Sequence, residues 1–401
     1  MTLNSTSFFV NVILLGVLFL PLLLVTIDAF FRMLFMITVV GFSGQETKNV
    51  KVNAQELSLL ILVVANNEGR IIGRSLQLLV EAISDARHVT LALLADNCTD
   101  QTAQVASSLG IKTYVRADGD PGKGKALSWF ANLASRETLD YDLIAIFDAD
   151  TMIAEDFCKN VQMAFCSIDT HMVQSFVQPV NENGLPLATL AAFSEILSQR
   201  IDDKARFRLG WTVPLRGTGM IFRRDIFLRV SPGLKTQVDD IELSLRLAEL
   251  KIPVRYFPQL KIFDPKSASV LGLAMQRGRW LKGQRDVWKS WQGKLNVLSG
   301  LSLWSLLQAL LLKPKVALFS MKIMLVGVFY FLNADFFIFL RMFIVFSLCV
   351  DFIYYTYGLR CVTNPRRYFF SFLIAPLFLV MWIAGWLFSF GRPGQWLRAR
   401  E

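Results

Sequence analysis

Apolar positions along this chain fall into three textures. Residues 8–31 are almost wholly apolar, residues 57–147 alternate short apolar runs with stretches of helical spacing, and much of 296–390 returns to long apolar runs. The middle region sets the organisation. Its run Leu143-Ile144-Ala145-Ile146-Phe147 is unbroken, which reads as a strand buried on both faces of a sheet. Further strands are predicted over 57–64, 89–95 and 111–115, with helices over 71–83, 102–109 and 125–133. This alternation predicts an α/β fold, a doubly wound and mostly parallel sheet with right-handed crossovers.

The flanking apolar runs predict membrane helices. Residues 8–31 offer 24 positions, enough to cross a bilayer. A cleaved signal peptide fits less well, because no Lys or Arg precedes the run and no small-residue cleavage site follows it. Arg32, Lys48 and Lys51 come next, so the positive-inside rule places the following domain in the cytoplasm. Near the carboxyl end, 316–332, 336–357 and 368–390 are candidate spans, and 295–312 is either interfacial or a further span. The loop with Arg360, Arg366 and Arg367 and the tail with Arg392, Arg398 and Arg400 both read as cytoplasmic. A single crossing by 368–390 forbids that, and Pro376 is where a bend would reconcile them. The expected domains are a transmembrane anchor over 1–33, a cytoplasmic catalytic domain over 52–292, and an interfacial helix with about three membrane segments over 293–401. An integral protein of a bacterial inner or plasma membrane is expected.

Composition supports this division. The 53% apolar content and mean hydropathy of +0.43 are too high for a purely soluble chain. The net charge of +10 is also local, since residues 200–294 hold 20 Lys and Arg against 9 Asp and Glu. A basic stretch beside a membrane suits anionic head groups or a diphosphate substrate. Nucleic acid is not expected as a partner, because the stretch leads into apolar runs and carries no recognised nucleic-acid module. Five cysteines without CxxC spacing and two isolated histidines, His88 and His171, point to no zinc site, disulfide framework or Ser-His-Asp triad.

Candidate chemistry lies where strands end. The central strand stops at Asp148-Ala149-Asp150, and two carboxylates so close usually need a divalent cation to hold them at neutral pH. A turn capped by Asp148 is the alternative. The other strand ends carry Asn66-Asn67-Glu68-Gly69 and Asp96-Asn97-Cys98-Thr99-Asp100, so three polar loops should meet at one sheet edge, where open α/β sheets bind ligands. Asp96 and Asp100 also suit capping of the helix near Thr102. Gly122-Lys123-Gly124-Lys125 opens a helix with cations against the macrodipole, a conflict that a nearby anion would relieve. Asp239-Asp240 begins another helix, either as a cap or as part of the same pocket. Gln276-Arg277-Gly278-Arg279-Trp280 suits either an interfacial helix or a pocket wall that holds a diphosphate and stacks on a sugar.

Seven stretches in order, Val63-Val64-Ala65-Asn66-Asn67-Glu68, Ala95-Asp96-Asn97-Cys98-Thr99-Asp100, Gly122-Lys123-Gly124-Lys125, Asp148-Ala149-Asp150, Gly217-Thr218-Gly219-Met220, Val238-Asp239-Asp240 and Gln276-Arg277-Gly278-Arg279-Trp280, make the chain resemble the membrane-bound inverting glycosyltransferases of family 2. That group includes cellulose, hyaluronan and chitin-oligosaccharide synthases and ceramide glucosyltransferases. The resemblance implies a GT-A, Rossmann-like fold and a metal-dependent hexosyltransferase using Mg²⁺ or Mn²⁺. Its partners would be a nucleotide-sugar donor, a UDP-sugar, and a polysaccharide or lipid-linked acceptor at the bilayer, joined by a β-glycosidic bond in exopolysaccharide or cell-envelope glycan synthesis. A single-addition glycolipid synthase and a non-catalytic membrane scaffold are the alternatives.

Position by position, the resemblance implies Asp240 as catalytic base and Asp150 with Asp148 at the metal. Asn67, Glu68, Asp96, Lys123, Lys125 and Asp148 would line the nucleotide sugar. Asp239, Gln276, Arg279 and Trp280 would meet the diphosphate and acceptor. The chain departs from the family pattern in having Val64 for Pro, Gly69 for a further acid, and Asp239 for Glu.

Overall fold

The computed structural model describes residues 5–41, 56–180, 185–236, 238–266, 269–291, 300–311, 315–331 and 338–390. Its centre is an eight-stranded mixed sheet: β1 Leu59–Ala65, β2 Val89–Asp96, β3 Lys112–Arg116, β4 Leu143–Asp148, β5 Met152–Ile153, β6 Met172–Val180, β7 Met220–Arg223 and β8 Arg255–Pro265. The strand order is β3-β2-β1-β4-β7-β6-β8-β5. The first four strands are parallel, as their unbroken apolar runs predict. In register, Ala65 lies opposite Ala95, and Val64 lies opposite Asp148. Three strands therefore end level, and their polar loops open on one edge.

Alternation within each strand feeds two cores. Leu60, Leu62, Ile144 and Ile146 face the layer holding Phe130 and Phe227, whereas Leu59, Ile61, Ala145 and Phe147 face that holding Leu76 and Phe157. These side chains are essentially inaccessible, and each large one contributes about 2 kcal/mol by leaving water.

Beyond β4 the sheet changes direction, because β7 runs antiparallel to both β4 and β6. Met220 at the start of β7 pairs with Ile146 near the end of β4, so the preceding Gly217-Thr218-Gly219 turn comes to the carboxylate edge. Gly219 sits at φ +66°, and a Cβ there would lie 2.5 Å from Ile262 Cδ1. Only glycine meets both conditions.

The amino-terminal helix runs Ser5–Gly41, ten residues past the expected end, and its Leu18–Gly41 portion is long and apolar enough to cross a membrane. Ile338–Leu359 meets the same standard. The helix Lys315–Phe331 matches the 17-residue length expected over 316–332 but is shorter than those two helices. Helices Pro365–Ser371 and Ala375–Phe388 meet at 65°, with Pro376 in the first turn of the second. Leu301–Leu311 packs Leu303, Leu306 and Leu310 against Ile241, Leu245 and Val287 of the sheet domain and its helices.

One expectation is corrected here. Arg32 is not a loop charge that orients the chain, because it lies inside the amino-terminal helix and is 2% exposed. Its Nε donates to Asp28 at 3.0 Å and its Nη1 lies 3.0 Å from Asp351, while Lys322 Nζ reaches Asp28 at 2.8 Å and Asp351 at 2.9 Å. Two cations and two carboxylates from three helices thus neutralise one another, as buried charges in apolar helices must. Lys48, Lys51, Arg392, Arg398 and Arg400 lie outside the described residues.

Helices and sheet domain meet closely. A Cβ on Gly358 would fall 1.9 Å from Leu197 Cδ2, and one on Gly278 would fall 2.8 Å from the Gly385 carbonyl. Such crossings need the smallest residue. Replacing Gly358 by Val is therefore expected to lower the thermal unfolding midpoint of the detergent-solubilised protein, by about 1–3 kcal/mol of stability. Leu197→Ala in the same chain should recover part of that loss, and a double variant no better than the sum of the two singles would disprove the contact.

Candidate active site

The site is built outward from the end of β4. Asp148 closes that strand, and its carbonyl accepts the Thr151 N–H at 3.1 Å, turning the chain so that Asp150 follows on the same edge. Thr218 Oγ1 accepts the Asp148 N–H at 3.2 Å and lies 2.7 Å from Thr151 Oγ1, so the glycine turn before β7 locks this corner.

Lys123 begins the helix Lys123–Arg136. Its Nζ donates to Asp148 Oδ1 at 2.5 Å and to the Gly217 carbonyl at 2.6 Å. The anion that offsets a lysine at a helix start is thus the chain's own Asp148. Burial works to lower the Lys123 pKa, but Asp148, Asp239 and Asp240 together raise it. Asp239 and Asp240 open the helix Asp239–Glu249 and line the same cavity as Asp148 and Asp150. Asp240 Oδ1 accepts the Ile241 N–H at 2.9 Å. Asp239 is 6% exposed, and burial, against the pull of Lys123 and with the push of Asp240 and Asp148, raises its pKa to about 7.

The first two loops are stitched together. Asn67, at φ +56°, accepts the Thr99 N–H at 2.6 Å through Oδ1, and Glu68 N donates to Thr102 Oγ1 at 2.8 Å. Asp100 caps the next helix at Thr102 N, 3.0 Å, and its other oxygen accepts the Gly69 N–H at 2.9 Å. A Cβ at position 69 would sit 2.9 Å from Asp100 Oδ2, so a larger residue there would have to displace that carboxylate. Asp96 is no cap. Its buried carboxylate takes an ion pair from Arg116 and accepts Gly122 N at 2.7 Å and Asn97 Nδ2 at 3.0 Å, bracing the loop that presents Lys123.

A cavity of about 1230 Å³ joins these pieces. Asn67, Glu68, Asp96, Lys123, Asp148, Asp150, Asp239 and Asp240 line one end, and Gln276, Arg279 and Trp280 of the helix Val270–Trp291 complete its wall. The basic helix is thus a pocket wall as well as a neighbour of the apolar bundle. Lys125 is the exception. It does not line the cavity, and its Nζ reaches outward to Asp120 at 3.1 Å.

Sequence reading passed over several lining residues. Arg216 pairs with Asp203, Lys266 lies 2.6 Å from Glu195, and Arg277 is buried beside both tryptophans 280 and 382. No strand-end rule marks these positions; only the basic run around 277 hinted at one of them. Apolar side chains of the carboxyl-terminal helices, Phe319, Ile323, Phe352, Tyr355 and Phe372, line the same cavity. Among the described residues no group of three or more His, Cys, Asp or Glu is arranged to hold a metal by itself.

Carboxylates at strand and helix ends, with guanidinium and indole groups facing them, suit transfer of a sugar away from a phosphate leaving group. The chain belongs to the glycosyltransferase like family 2, whose family model matches residues 57–283. It is 26% identical over 264 residues to a beta-monoglucosyldiacylglycerol synthase of Synechocystis sp., covering 62% of this chain and 54% of that one. It is 21% identical over 243 residues to the probable glycosyltransferase YdaM of Bacillus subtilis, covering 59% and 57%. The chain thus spans about half the length of the curated relatives it matches. Among solved structures it is similar to a mannosyltransferase from Pyrobaculum calidifontis in complex with GDP-Man and Mn²⁺, at 14% identity and TM-score 0.48 over 82% of this chain and 96% of that one. With a TM-score under 0.5, the architecture rests on the strand order itself.

The Asp239 carboxyl yields a pH prediction. In the folded protein it keeps its proton to about pH 7, while in the unfolded chain it ionises near 3.8. Between these values the folded state binds more protons, so this group's stabilisation is complete at low pH and is lost as pH rises toward 7. Asp239→Asn removes that dependence. Unfolding of the variant should change less between pH 4 and 7 than that of the parent, and parallel curves would refute the assignment.

Proposed function

We propose that this protein is a membrane-associated inverting hexosyltransferase that moves a sugar from a UDP-sugar to the hydroxyl of a lipid acceptor, on the cytoplasmic side of the membrane. The observation that carries the reading is the single cavity that runs from the carboxylate cluster to the side chains of the apolar helices. A sugar polymer needs hydroxyl partners along its path, whereas the aromatic and aliphatic lining suits an acyl or isoprenoid tail. The names of the cyanobacterial relatives, monoglucosyldiacylglycerol synthases, support a lipid acceptor and a glucosyl donor.

In this reading Asp240 is the general base. An alcohol is too weak an acid to attack an anomeric carbon unaided, and a positioned carboxylate takes its proton as the new bond forms. One displacement from the face opposite the leaving diphosphate inverts the centre, so an α-linked donor gives a β-linked product. Asn67, Glu68 and the loop braced by Asp96 would cradle the nucleoside. Arg279 and Gln276 would face the diphosphate, Trp280 would stack on the acceptor end, and Asp239 would hold its proton beside them.

The residues also fit Mg²⁺ or Mn²⁺. Asp148 and Asp150 stand two residues apart at the end of β4 and line the same cavity, and two carboxylates plus substrate phosphates are the usual oxygen donors for these ions. Asp148 and Asp150 would hold the cation, which when bound neutralises the diphosphate.

Asp240→Asn is expected to reduce turnover roughly 10²- to 10⁴-fold with donor affinity largely kept. Asp150→Ala should abolish the response to added Mn²⁺. Purified protein in detergent, given radiolabelled UDP-sugars and lipid acceptors, should yield products carrying one added sugar. Ladders of longer products would favour a polymer synthase, and normal turnover by the Asp240 variant would remove the base.

A further inference from the structure

Arg277 is a buried cavity-wall group whose surroundings ask for a ligand that the proposed reaction has not yet used. It is 3% exposed, and its Nε and Nη1 find no acceptor among the described residues. Glu195 Oε1 stands 4.0 Å from Nη2, the outer limit of an ion pair, while Lys266 holds the other oxygen, Oε2, at 2.6 Å. The guanidinium lies between two indoles, 4.2 Å from the Trp280 ring and 5.2 Å from the Trp382 ring. Its stem is fixed by the close crossing at Gly385, whose added Cβ would meet Arg277 Cβ at 2.9 Å.

A buried cation with donors left over is costly unless an oxygen partner arrives. Desolvation is felt strongly enough to lower the guanidinium pKa. Position names the partner. Trp280 belongs to the catalytic wall, whereas Trp382 and Phe378 belong to the carboxyl-terminal helix Ala375–Phe388 that borders the apolar arm. Arg277 therefore stands at the junction of the polar and apolar parts of the cavity, where the head group of a tail-bearing acceptor must lie. A guanidinium between indole faces binds a phosphate oxygen more strongly than a neutral one, because the bond is charge-assisted in a medium of low polarity.

We propose that Arg277 binds a phosphate in the head group of the acceptor, so that the acceptor is a phospholipid carrying a free hydroxyl beyond its phosphate. This rests on the lipid-acceptor reading above. It adds a charge requirement that the reading does not contain.

The test uses the full chain in detergent with a nucleotide sugar and two acceptors of identical tails, phosphatidylglycerol and diacylglycerol. The parent should favour phosphatidylglycerol in kcat/KM, and R277Q should shrink that preference roughly 10- to 100-fold, through acceptor KM. R277K, which keeps the charge, should recover part of it. An unchanged preference in R277Q overturns the proposal, as does a loss that tracks the KM of the nucleotide sugar. In case R277Q does not fold, the parent alone decides by inhibition: phosphatidic acid should compete with the acceptor far more strongly than a tail-matched diacylglycerol ether. Equal inhibition by the two lipids overturns the proposal, and so does inorganic phosphate inhibiting as well as phosphatidic acid. Transfer to neither lipid would sink the lipid-acceptor reading itself, whereas equal transfer to both would sink only the phosphate assignment.

Discussion

The structure turns on the pairing of Lys123 with Asp148 inside a ring of like charges. Unit charges about 4 Å apart interact by about 4 kcal/mol at an effective dielectric of 20, so gathering Asp148, Asp150, Asp239 and Asp240 around one cavity needs internal compensation. The lysine supplies part of it: although burial works to lower its pKa, Asp148, Asp239 and Asp240 raise it, whereas Asp239 has its own pKa raised first by burial and then by Asp240 and Asp148. Much of the architecture serves to hold this one amine. The Gly217 carbonyl receives it, the Thr218 hydroxyl fixes the corner beneath it, and the carboxylate of Asp96 anchors the backbone at Gly122, one residue before it.

The reversal of β7 follows from the same constraint. A fifth parallel strand beside β4 would bring its carboxyl end to this edge and leave its entry turn at the opposite one. Running antiparallel, β7 delivers its amino-terminal glycine turn to Asp148, where a backbone carbonyl and a hydroxyl are needed and a bulky side chain would not fit. Departure from a uniformly parallel sheet is thus a feature of the site.

How much of this was legible along the chain depended on whether the signal was local. Strand and helix positions from 59 to 148 followed from apolar periodicity, because each element buries its own face. The gathering of Asp148, Asp150 and Asp240 was foreshadowed by strand-end carboxylates and an acidic helix start. Lys125 misled, since two lysines two residues apart in the same turn of a helix face different ways and the sequence alone did not decide between them. Arg32 misled for another reason: a lone arginine after an apolar run looks like a flanking charge until its partners, Asp28, Lys322 and Asp351, are brought together from segments nearly three hundred residues apart. Glu195 and Lys266 were invisible, and Arg277 was only hinted at by its basic run, because their meaning comes from helices packing across the cavity.

Under the proposed lipid-acceptor reading, the division of the cavity also addresses a solvation problem. A donor with two phosphates belongs in water and a lipid belongs in the bilayer, so an enzyme joining them must give each its own medium within one enclosed space. Charged and polar groups of the sheet edge can do this only where water or counter-charge is near, and aromatic side chains only where both are excluded. The boundary therefore has to be held rigidly. Here glycine crossings at 278, 358 and 385 bring helix backbones into contact with the domain, and Lys315 and Tyr354 from the apolar helices close on Asp202 of the π-helical turn Ser198–Asp203 that borders the cavity. On that reading the apolar helices would be walls of the reaction chamber as well as an anchor, and the groups that set acceptor choice would lie at the seam between the two parts.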